Sequence, residues 1–244
     1  MQYAKQGSLR KILDSKYNEL DWNSKIAILY YIIRGLSSIH KSGLVHKDFH
    51  SGNIVNQDMF RSFITDFGLC RPVSQDSNSK ELFGVLPYVA PELLRASTYG
   101  DNIVYTQKSD IYSFGIIMSE VFTGYPPYHD INHGASLASR IIKGQRPEIK
   151  CEVPHLLLDL MKKCLDAVPD KRPTADELHA ELYQLFYELK NAESEIKKQV
   201  QEIENSSKNT SMNNQIKSAR INYQTHPQTS FISKPLQLPK LPKP

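Results

Sequence analysis

Apolar residues recur at helical spacing in several stretches of this chain, and the first long one is bounded at both ends. Trp22, Ile26, Leu29, Ile32, Ile33, Leu36 and Ile39 fall on one helical face. Asp21 stands before them as a cap, and Gly43 follows as a stop. A second stretch, Ser109 to about Phe122, is apolar all round, which predicts a buried helix ended by Gly124 and Pro126-Pro127. Leu156 to Leu165 is amphipathic. Leu178, Leu182, Leu185, Phe186 and Leu189 form the stripe of a later helix, with Thr174 and Glu177 at capping-box spacing in front of it. Between the first two helices lie Ile54-Val55 and Phe63-Ile64-Thr65, short apolar or β-branched runs around a polar turn, which predict a hairpin. The expected architecture is mostly helical, with small hairpins in front of the buried helix.

The hairpin carries the candidate chemistry. His46-Lys47-Asp48 precedes it with Asn53 at its mouth, and Asp66-Phe67-Gly68 leaves it. Asp48, Asn53 and Asp66 therefore converge as oxygen-bearing side chains. Hard oxygen ligands without His or Cys suit Mg²⁺, which takes one or two carboxylates plus substrate phosphates. A carboxylate that the metal does not need can accept a proton from a hydroxyl.

These motifs, in this order and context, resemble the eukaryotic protein kinase family. The resemblance implies an α+β protein-kinase-like fold, a mostly α-helical C-lobe with small β-hairpins. It implies ATP as phosphoryl donor, Mg²⁺ as cofactor and a protein hydroxyl as acceptor. Asp48 then corresponds to the catalytic base, Asn53 to a catalytic-loop metal ligand, and Asp66 to the metal ligand that orients the phosphates. His46 and Phe67 take structural places beside them. Ala90-Pro91-Glu92 resembles the family's A-P-E, and Lys171-Arg172-Pro173-Thr174 its R-P-T, so Glu92 is expected to pair with Arg172. Asp110, in the D-x-[YW]-S-[FY]-G pattern of Asp110-Ile111-Tyr112-Ser113-Phe114-Gly115, is expected to bond the catalytic-loop backbone, because a buried carboxylate requires partners.

Tyr3-Ala4-Lys5-Gln6-Gly7-Ser8-Leu9 is similar to the hinge between the two kinase lobes. On that alignment Gln2 and Ala4 supply backbone contacts to adenine, and Val55 forms part of the floor beneath the ring. The alignment starts at the hinge, so the expectation is a partial kinase domain over residues 1–190, without the glycine loop and lysine strand of an N-lobe. Such a chain alone is expected to transfer phosphate poorly. A second reading is therefore a catalytically inactive pseudokinase or C-lobe binding module. A third, a small-molecule phosphotransferase, shares H-x-D-x-x-x-x-N but normally lacks DFG followed by A-P-E.

The sequence departs from the family pattern at several places. Lys47 replaces the usual Arg, losing a bidentate fork. His50 stands where serine/threonine kinases place Lys, Val85 where they place Thr, and Leu165 where Trp is usual. The remaining pattern looks similar to the tyrosine-kinase-like group, many of which phosphorylate Ser or Thr. Ser74, Ser77 and Ser79 lie in a polar stretch resembling an activation loop, as candidate phosphosites.

Charge separates the body from the tail. From Asn191 onward eight Lys/Arg face four Asp/Glu, so the net +4 sits there and the body is neutral. A neutral body lacks the basic stripe that nucleic-acid binding needs. No signal peptide opens the chain and no apolar run is long enough for a bilayer. Cys70, Cys151 and Cys164 lack metal-ligand spacing and read as reduced thiols of a cytoplasmic or nuclear protein. Residues 191–244 are expected to extend the last helix thinly, through Ile196, Val200 and Ile203, to about Glu204. Beyond it a disordered, Pro-containing tail is expected, dispensable for folding and available to regulatory protein partners.

Overall fold

The computed structural model describes residues 6–58, 60–72, 81–209 and 224–239. The elements in chain order are α1 (Leu9–Lys16), α2 (Trp22–Lys41), β1 (Leu44–Val45), β2 (Ile54–Asn56), β3 (Ser62–Ile64), β4 (Arg71–Pro72), β5 (Phe83–Gly84), α3 (Pro91–Tyr99), α4 (Gln107–Thr123), α5 (Ala135–Ile142), α6 (His155–Cys164), α7 (Ala175–Glu188), α8 (Glu195–Asn209) and β6 (Lys234–Pro235). Three antiparallel pairs, β1–β4, β2–β3 and β5–β6, lie among the helices. This is the helix-rich α+β arrangement expected, and β2–β3 is the expected hairpin, with Ile54 opposite Ile64.

Helix α4 is the axis of the fold. Every residue from Ser109 to Phe122 is buried, so neither face of it meets water. Thr106 caps it reciprocally with Ser109, and Gly124 ends it at φ 78°, a conformation that costs glycine little. Gly115 makes a close approach possible: a Cβ there would lie 2.7 Å from Leu165 Cδ2 and 2.9 Å from Cys164 Cβ. Helix α6 thus rests directly on the α4 backbone, with Leu165 filling the place where the family pattern has Trp.

Helix α2 is capped as expected, with Asp21 accepting from Ser24 N at 2.8 Å. Its buried face holds Ile26, Leu29, Ile32, Ile33 and Leu36. Its other side packs on α7, where Tyr30 stacks on Phe186 with centroids 5.5 Å apart. Thr174 and Glu177 form the expected capping box.

Two expectations about the C-terminal part need correction. The stripe through Ile196 and Val200 does not continue α7. The chain turns at Asn191, and α8 starts afresh with Ser194 Oγ accepting from Lys197 N at 3.3 Å. Ile196 and Val200 are then fully buried. Second, the structureless tail does not hold for residues 224–239. These pack on the body, with Phe231, Leu236 and Leu238 against the core. Gly84 pairs with Lys234 and Phe83 with Pro235. Deleting the segment would remove that ordered cover. Among the described residues no helix is long and apolar enough to cross a membrane.

Candidate active site

The loop from His46 to Asn53 is held from below by α4. Asp110 is buried in the first turn of α4 and accepts from His46 N at 2.8 Å and Lys47 N at 3.1 Å. His40 Nε2 lies 3.0 Å from the same carboxylate. This is the contact expected of Asp110. Lys47 has φ 72°, a left-handed conformation that costs a residue with a side chain about 1–3 kcal/mol. The bonds from His46 N and from its own N to Asp110 offset that cost and fix the direction in which Asp48 leaves.

Asp48 itself is buried. Asn53 Nδ2 donates to its backbone carbonyl at 3.0 Å and to its Oδ2 at 3.2 Å. The second carboxylate oxygen is different. Asp48 Oδ1 lies 3.7 Å from His50 Nε2, an ion-pair distance, and neither buried atom makes a hydrogen bond among the described residues. Burial alone would push the Asp48 carboxyl up. His50 and Ser233, with the charge of His46, outweigh burial and hold it below the ordinary carboxylate range. The side chain is therefore an ionised acceptor at neutral pH.

Asp66 occupies the far side of the hairpin, exposed, with φ 62° and ψ 64°. It is tied to Asn53 through its neighbour: Thr65 N and Thr65 Oγ1 both donate to Asn53 O, at 2.9 and 3.0 Å. His46 Nε2 donates to Thr65 O at 3.0 Å, and its ring packs against Phe49 and Phe67, with centroids 5.7 and 5.6 Å away. His46 thus couples the two carboxylate motifs. Because the Asn53 amide nitrogen is used on Asp48, its amide oxygen is left for another partner. That oxygen and the Asp66 carboxylate are hard donors of the kind Mg²⁺ takes, so the residues present fit the metal.

Val55 is half-buried on β2 and bridged to Ser8, while Asn56 N donates to Gly7 O at 2.9 Å. The stretch similar to the hinge therefore runs alongside β2. Gln2 and Ala4 lie outside the described residues, as do Ser74, Ser77 and Ser79. Glu92 and Arg172 pair in two parallel bonds, at 2.8 and 2.7 Å. Arg172, fully buried, spends two further donors on Lys108 O and Asp166 O.

A further buried network had no place in the motif reading. Glu120, fully buried in α4, accepts from Arg10 Nη1 at 2.5 Å, from Ser51 Oγ at 3.0 Å and from Tyr88 Oη. Burial pushes its carboxyl up, with the Arg10 charge opposing. The network clamps the catalytic loop, at Ser51, to α1, α4 and the turn before α3. Glu120 is the one acid of the α4 helix beyond its first turn, among apolar neighbours, and that was its signal in the sequence.

A protein-kinase domain is what this fold and site define. A model of the family described as protein tyrosine and serine/threonine kinase matches residues 1–182, and the chain belongs to the eukaryotic protein kinase family. A protein of Acanthamoeba polyphaga mimivirus, named as a serine/threonine-protein kinase/receptor, is 32% identical over 183 residues, 74% of this chain and 11% of its own length. The RGS domain-containing serine/threonine-protein kinase A of Dictyostelium discoideum is 30% identical over 186 residues, 76% of this chain and 16% of that protein. The protein kinase and PP2C-like domain-containing protein of Arabidopsis thaliana is 29% identical over 216 residues, 73% of this chain and 32% of its own length. The chain thus spans between a tenth and a third of the length of these relatives.

Proposed function

We propose that the chain carries the base and metal half of an ATP-dependent protein kinase, which transfers the γ-phosphate to a Ser or Thr (or Tyr) hydroxyl of a protein in signal transduction. Residues 1–190 are its catalytic part and 191–244 a regulatory extension. The observation that carries the reading is Asp48: an ionised, buried carboxylate on a loop braced at both ends, with one oxygen held by Asn53 and the other without a hydrogen bond. Such an oxygen accepts the acceptor's proton. Asn53 and Asp66 would hold Mg²⁺, which when bound to ATP neutralises the charge that develops on the transferred phosphoryl. Asp110 and the Glu120 network position the base and do not react. The names of the relatives support Ser/Thr as acceptors.

The binding-only reading draws on one observation. His50 replaces the family's lysine and sits 3.7 Å from the base, where it competes for the same oxygen. Incorporation of radiolabelled phosphate into a generic protein substrate, beside a Mg·ATP thermal shift, separates the two. The natural gene product should do both. Mg·ATP-independent melting together with no incorporation would leave the binding-only reading.

A further inference from the structure

The base's free oxygen is not facing open solvent; a piece of the same chain covers it. Residues 224–239 cross the lower body and end beside the catalytic loop. His226 N donates to His129 O at 2.8 Å, and Asn132 Nδ2 donates to Gln228 Oε1 at 2.6 Å. Phe231 packs edge-on against His133, with centroids 4.9 Å apart. Lys234 and Pro235 then pair antiparallel with Gly84 and Phe83, and Leu236 N donates to Leu82 O at 2.8 Å.

That register sets where Ser233 lies. Gly84 is opposite Lys234, and a Cβ on Gly84 would be 3.6 Å from Asp48 Oδ1. The residue before Lys234 is therefore delivered to the carboxylate. Three buried polar atoms here make no hydrogen bond among the described residues: Asp48 Oδ1, His50 Nε2 and Ser233 Oγ. A buried polar atom without a partner costs about 1–3 kcal/mol, so each of the three gains by pairing with another. An acceptor hydroxyl beside a base is an arrangement whose bonds tighten only when the second substrate arrives. The influence of Ser233 on the Asp48 carboxyl agrees with this contact.

We propose that Ser233 is a phosphorylation site of this chain's own active site, presented to Asp48 in cis by the pairing of β6 with β5. The inference rests on the kinase reading above and adds a substrate to it. In the step, Ser233 Oγ forms a bond to the γ-phosphorus of ATP while its proton passes to Asp48. The bond from that phosphorus to the β–γ bridging oxygen breaks, and its electron pair leaves with ADP. Asp48 afterwards gives its proton to water.

The product undoes the contact that made it. Phosphoserine brings a charge of about −1.5 to −2 at neutral pH. Placed against an ionised, buried Asp48, it meets like charge and desolvation. Phosphorylation should expel the strand and open the groove to other substrates. Until then the segment occupies the place an external substrate's strand would take.

The natural gene product, tail intact, is incubated with Mg·ATP and a generic protein substrate, and phosphorylated peptides are mapped. Phosphate should appear on Ser233, and the fraction modified per minute should stay the same across a tenfold dilution of enzyme. Ser233→Ala should lose that phosphate and Ser233→Thr should keep it. Hydrogen exchange at the Leu236 amide, slow before the reaction, should become fast after it and in Ser233→Asp. Phosphate on the added substrate with none on Ser233 would overturn this inference alone, as would a rate that rises with enzyme concentration or a Leu236 amide that exchanges freely from the start. No phosphate on either would overturn the kinase reading with it.

Discussion

The two sides of the hairpin are built to different standards. On the base side Asp48 is buried, its loop is tied to Asp110 and Glu120, and its neighbour Lys47 is held in a strained conformation. On the metal side Asp66 is exposed, and so is Phe67, at 51%. The difference matches what the proposed function asks of each side. A base acts on one proton at one distance, so its direction must be fixed before the substrate arrives. A metal ligand can be drawn into place by the ion itself, whose charge supplies the ordering. On the proposed roles, the half that chemistry needs rigid is buried and the half that a ligand completes is left open.

Substituting each carboxylate is the largest perturbation of that contrast. Asp48→Ala should lower turnover by about 10²–10⁴-fold, the usual worth of a positioned base, and spare Mg²⁺-dependent nucleotide binding. Asp66→Ala should weaken that binding as well as turnover. Steady-state kinetics and a nucleotide thermal shift check both. Loss of nucleotide binding in Asp48→Ala would mean that the two sides are not separable.

The next effect is on the frame that keeps the base side rigid. Arg172 is fully buried and Glu92 is its only ionic partner among the described residues. Glu92→Ala strands that charge, at a cost of about 3–5 kcal/mol measured by urea unfolding. A change under 1 kcal/mol would show that Lys108 O and Asp166 O satisfy the guanidinium alone. Gly115→Ala should cost less, about 1–3 kcal/mol, because the new methyl overlaps Leu165 and Cys164. Its mate Leu165→Ala should restore part of the loss by making room.

How far the sequence carries depends on the range of the interaction. Asp48, Asn53, Asp66, Glu92 and Arg172 stand in short motifs, and local spacing marks them. Asp21, Thr174 and Gly124 cap helices through neighbours within a turn, and they were legible for the same reason. The Glu120 network was not, because Arg10, Ser51, Tyr88 and Glu120 meet only through the fold. The short helices α1, α3 and α5 have too few residues for periodicity to register. Strand β6 was the hardest case. Lys234 and Pro235 have poor strand propensity, and the pairing exists because Phe83 and Gly84 offer an edge about 150 residues away.

The smallest expected effect lies outside both sides of the hairpin, in two histidines that record how the periphery is packed. His133 lies below the ordinary imidazole value because burial under residues 230–231 disfavours its charge; Lys234 adds to this, and hydrogen bonds to the Ser230, Tyr128 and Pro127 backbone oppose it. His179, stacked on Tyr30, is lowered by burial and by Lys41 and Arg34, with Asp176 opposing. Both have lower values folded than unfolded, so the unfolded chain binds more protons between those values and about pH 6.5. Their contribution is complete above about pH 6.5 and is lost as pH falls through the folded values. The urea midpoint should therefore drop from pH 7.5 to 5.5. His133→Gln should remove part of that slope, and His179→Gln a smaller part, since its ring is the less buried. A midpoint that is flat over this range, or a slope that neither substitution changes, would mean that residues 230–231 do not cover His133 in solution. The cover over Asp48 would then be in question too, since the same segment provides it.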